Sequence, residues 1–189
     1  MKKLFFALAF CLFLLSAAWS RKAWSQDCKK TDYSADEQKY FNEALTKFAA
    51  CPLPLDSQCR AALAQALAHI YGLKDFGDES KYMTPAEISK KVASDSNWAH
   101  VGSASDQTAL KNAQDSANCG KPVIAVLASE TGGHVAIILP GSLAHSGGWK
   151  LDVPNSASFF THSPSKSFAG KPLSFSFPKA EGIEIYARK

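Results

Sequence analysis

The sequence predicts an α+β domain, with N-terminal helices packed on a C-terminal antiparallel β-sheet of about five strands. Three observations predict it. Between Ser34 and Asn118 the apolar residues recur at three- and four-residue spacing behind helix-capping signals. From Pro122 onward the pattern changes to short continuous or alternating apolar runs. Breakers at Cys51-Pro52-Leu53-Pro54, Gly72, Gly120 and Gly132-Gly133 separate the runs.

The elements follow in order. Ser34 and Glu37 form a capping box, and Tyr40, Phe41, Ala44, Leu45 and Phe48 continue it as a helix of about four turns. Asp56 or Ser57 caps a second helix carrying Leu63, Leu67, Ile70 and Tyr71, stopped by Gly72. Thr84-Pro85-Ala86-Glu87 opens a third, with proline at the first helical position. A fourth runs from about Ser105 to Asn118 with Leu110, Ala113 and Ala117 inward. The strands predicted are Pro122–Leu127, His134–Leu139, Trp149–Val153, Pro172–Phe177 and Gly182–Ala187. Residues 129–133 read as a hairpin connection between the first two.

The N-terminus reads as an export signal. Lys2 and Lys3 precede an apolar run, Leu4 to Leu15, that is short for a membrane span. Small-residue cleavage sites follow at Ser20 and Ser25, and cleavage after Ser20 is favoured. Cys11 lies inside the apolar run behind Phe10, which argues against a lipid-attachment site. The expected organisation is a signal peptide over 1–20, a helical segment over 21–55 packed on the main domain, and the main domain over 56–189. The expected location is the periplasm or the medium. The full chain carries +4; loss of Lys2 and Lys3 leaves +2, and loss of Arg21 and Lys22 as well leaves zero. So weak a field does not suggest nucleic acid or an anionic membrane as partner.

The mature chain holds Cys28, Cys51, Cys59 and Cys119. An even number in an exported chain suggests two disulfides. Against that stands position: Cys59 falls in the first turn of a helix, where unpaired N–H groups and the positive dipole end favour a thiolate. A nucleophile needs a base. Of His69, His100, His134, His145 and His162, only His134 starts a firm strand beside glycines that leave room for substrate. His69 is ten residues beyond Cys59 on the same helix and cannot reach it. No paired Cys-x-x-Cys, His-Glu-x-x-His, Gly-x-Ser-x-Gly or glycine-rich phosphate loop is present. No metal or organic cofactor is expected.

Gln58-Cys59 at a helix start, the run Ala117-Asn118-Cys119-Gly120-Lys121-Pro122-Val123-Ile124-Ala125, and Gly133-His134-Val135-Ala136-Ile137 together resemble the papain-like bacterial cell-wall amidases and peptidases, the group of CHAP amidases and NlpC-like cysteine hydrolases. The likeness covers roughly Asp56 to Asn155. It departs at Arg60, where several relatives carry an aromatic. It implies a papain-like fold and an exported cysteine peptidase or amidase acting on peptidoglycan, at a stem-peptide or muramoyl-alanine bond. Cys59 would be the nucleophile and His134 the base. Topology adds a third group: if Trp149–Val153 pairs antiparallel with the His134 strand, Asn155 or Asp152 comes within reach of the imidazole, and Asn155, freed by Pro154, is the choice. The rival from another class is a non-catalytic periplasmic binding or inhibitor protein stapled by two disulfides. The expected partner is peptidoglycan, with any inhibitor protein unidentified.

Overall fold

The computed structural model describes residues 33–129 and 133–189. The expected signal segment, its cleavage sites and Cys28 lie outside the described residues. Among those described, no helix is long and apolar enough to cross a membrane.

Helix α1 spans Ala35–Ala49. Its capping box forms as the sequence predicts: Ser34 Oγ accepts from the Glu37 N–H at 3.2 Å, and the Glu37 carboxylate accepts from the Ser34 N–H at 2.7 Å. The second predicted helix is two, α2 (Ser57–Arg60) and α3 (Ala62–Tyr71), broken at Ala61. Gly72 ends α3 at φ +62°, a left-handed conformation that suits glycine. A two-stranded ribbon, β1 (Gly77–Asp78) and β2 (Lys81–Tyr82), precedes α4 (Pro85–Ser94).

Strand β3 (Trp98–Ser103) comes before α5 (Gln107–Asn118). Then follow β4 (Val123–Leu127), β5 (His134–Ile138), β6 (Ala144–Ser146), β7 (Leu151–Val153), β8 (Asn155–Ser158), β9 (Phe168–Pro172) and β10 (Ile183–Arg188). Six of these form one antiparallel sheet in the order β3-β10-β4-β5-β8-β9. The last strand thus inserts between β3 and β4. The α+β class and the helix-then-sheet trend agree with the sequence reading, but two strand assignments do not. Trp149–Val153 does not join the main sheet; its second half, β7, pairs with β6 in a separate ribbon. Pro172–Phe177 is the end of β9 and a 3₁₀ turn at Leu173–Phe175. In their place the sheet takes β3, β8 and β9. Asn-Ser-Ala-Ser has no apolar alternation, so β8 reads as loop; it forms because β5 and β9 pair with it on either side.

Both faces of the sheet are covered. Ile124, Val126, Val135, Ile137, Leu139, Ala157 and Phe159 pack on one side with residues of α1, α3 and α4. Val123, Ala125, Ala136, Ile138, Ile183, Ile185 and Ala187 pack on the other with Leu110, Ala113 and Ala117 of α5. This two-sided burial explains why β4 and β5 read as continuous apolar runs.

Two polar devices fix the frame. The Asp75 carboxylate accepts from Trp98 Nε1 at 3.0 Å and from Arg188 Nε at 2.8 Å, tying both outer ends of β3 and β10 to the loop after α3. Buried Gln114 of α5 donates from Nε2 to the Leu139 carbonyl at 2.9 Å, and its Oε1 accepts from the Asn155 N–H at 2.9 Å. It thereby satisfies backbone groups of two adjacent chain segments. Gln114→Ala strands both and is expected to cost about 2 kcal/mol of stability; urea unfolding of the two proteins measures it, and an unchanged midpoint would show that water replaces the amide.

Candidate functional site

Cys59 occupies the predicted first turn. Its N–H donates to the Asp56 cap at 2.7 Å. Its sulfur, however, is bonded to that of Cys51, with the two Cα atoms 6.4 Å apart. The placement of Cys59 as a free nucleophile is therefore corrected: a disulfide sulfur carries no thiolate, whatever the helix end does to its neighbours. The chain makes the pairing easy. Cys51 lies just past the end of α1, and the turn through Pro52 to Leu55 brings the backbone back to α2. Cys119 is disulfide-bonded as well.

His134 starts β5, as the sequence predicts, and is mostly buried. Its Nε2 lies 2.7 Å from Ser158 Oγ on β8. Its ring stacks on Phe160 at 4.9 Å between centroids and meets Phe177 edge-on at 5.1 Å. Burial among these rings pulls the imidazole down to about 4, so it is neutral at pH 7.

The structure does not bring Cys59 and His134 together. Cys59 packs against the cluster that holds Val135 and Ile137. His134 has the parity of Ala136 and Ile138 and touches Phe177, all on the α5 side. The sheet lies between the two residues.

Asn155 and Asp152 are both displaced from the imidazole. The strand beside β5 is β8, in the register Ala136↔Ser158 and Ile138↔Ser156. Asn155 begins β8 rather than ending the strand before it, and its carbonyl accepts from the Leu139 N–H at 2.9 Å. It therefore sits at the opposite end of β5 from His134, about 17 Å away at the rise of a strand. Its Nδ2 donates to the Pro140 carbonyl at 3.0 Å. The placement of Asn155 beside His134 is corrected on this register. Asp152 faces His145 across the β6–β7 ribbon, with His145 Nδ1 3.0 Å from its carboxylate.

Sequence reasoning missed Ser158, Phe160 and Phe177 around the imidazole. The two-residue spacing of Ser156 and Ser158 is the one local signal, and it is too short to mark a strand. Chemically, a neutral imidazole on a hydroxyl is a base on a nucleophile. Here, though, Ser158 is fully buried, so no carbonyl can approach its oxygen. The contact gives Nε2 of the partly buried imidazole a hydrogen-bond partner. Among the described residues no group of three or more His, Cys, Asp or Glu side chains is placed to hold a metal ion. No protein-family model matches the chain, and no curated protein matches it either.

Two outcomes follow. Cys51→Ala and Cys59→Ala should each cost about 2 to 3 kcal/mol, the loop-closure value for so short a span, and the double variant no more than either alone; additive losses in urea unfolding would contradict the pairing. For His134 the folded-state value lies below the unfolded 6.5, so the unfolded chain binds the extra proton between about 4 and 6.5. Stability should fall as pH drops through that window, by up to about 3 kcal/mol. His134→Gln should flatten the slope, as chemical denaturation from pH 7 to pH 4 would reveal.

Proposed function

We propose that the protein is an exported, disulfide-stapled binding or inhibitor protein rather than a cysteine hydrolase. One observation carries this reading: the sulfur at the expected nucleophile position is bonded to Cys51, on the face of the sheet opposite the expected base. A disulfide near a helix junction suits an oxidising compartment, in keeping with the signal-like N-terminus of the sequence. The antiparallel sheet, covered on both faces, gives such a protein a rigid frame.

The papain-like architecture implied by the Gly-His-Val and Gln-Cys motifs belongs to the hydrolase reading. That reading requires Cys59 and His134 on one face and a free thiol, and it predicts cleavage of peptidoglycan amide bonds.

The test is a sacculus digestion. The mature protein, made under oxidising conditions, is expected to release no muropeptides, and to stay inactive after mild reduction. Its Cys51, Cys59 and Cys119 should give no reaction with a thiol reagent in denaturant until a reductant is added. Muropeptide release that disappears in Cys59→Ala would restore the hydrolase.

A further inference from the structure

We draw no further inference here: the strongest candidate, the apolar surface patch that the disulfide-closed loop between α1 and α2 makes of Pro52, Leu53 and Pro54, rests on exposure alone, since nothing in the structure shows what covers it.

Discussion

A β-strand sends successive side chains to opposite faces, and in this protein both faces of the central strands are buried. Almost everything else depends on that constraint. It makes register a decision of consequence, since a slip of one residue would exchange the side chains facing α5 for those facing α1, α3 and α4. It commits His134 to the same side as Ala136 and Ile138. It commits the helix start bearing Cys59 to the side of Val135 and Ile137. No local rearrangement of either residue brings the two together, because a packed sheet stands between them.

The buried polar groups are arranged around the same sheet. Gln114 reaches from α5 to the backbone at the ends of β5 and β8, and Ser158 meets the imidazole at the other end of that strand pair. Each leaves no bare donor or acceptor in a dry environment, where an unmet group would be costly. Asp75 does the corresponding work at the outer side, holding Trp98 and Arg188. The histidine that the sequence offers as a base is thus partly buried at the sheet, bonded through Nε2 to Ser158 and stacked on Phe160. Its low proton affinity follows from burial and does not by itself mark a catalytic site.

The disulfide between Cys51 and Cys59 ties the end of α1 to the start of α2. It joins two helical segments that pack on one face of the sheet, and it removes the one thiol that position had favoured for nucleophilic chemistry. At the sheet edge, β9 and the turn after it place Lys171 beside the Phe168 and Phe175 rings.

The sequence by itself determined the elements whose causes are local. The capping boxes at Ser34 and Thr84, the stop at Gly72, and the apolar runs of β4 and β5 depend on residues within a few positions of one another. It also placed Cys59 at a helix start and His134 at a strand start, both as found. The tertiary structure alone decided what these positions mean. Asn155 to Ser158 becomes a strand because two neighbours pair with it, and that pairing carries Asn155 to the far end of β5 from His134. Which face of the sheet a helix covers, and which cysteine lies within bonding reach of another, are set by the return path of the chain in space. Periodicity along the sequence records that a residue is buried, and it holds no record of the side from which it is covered.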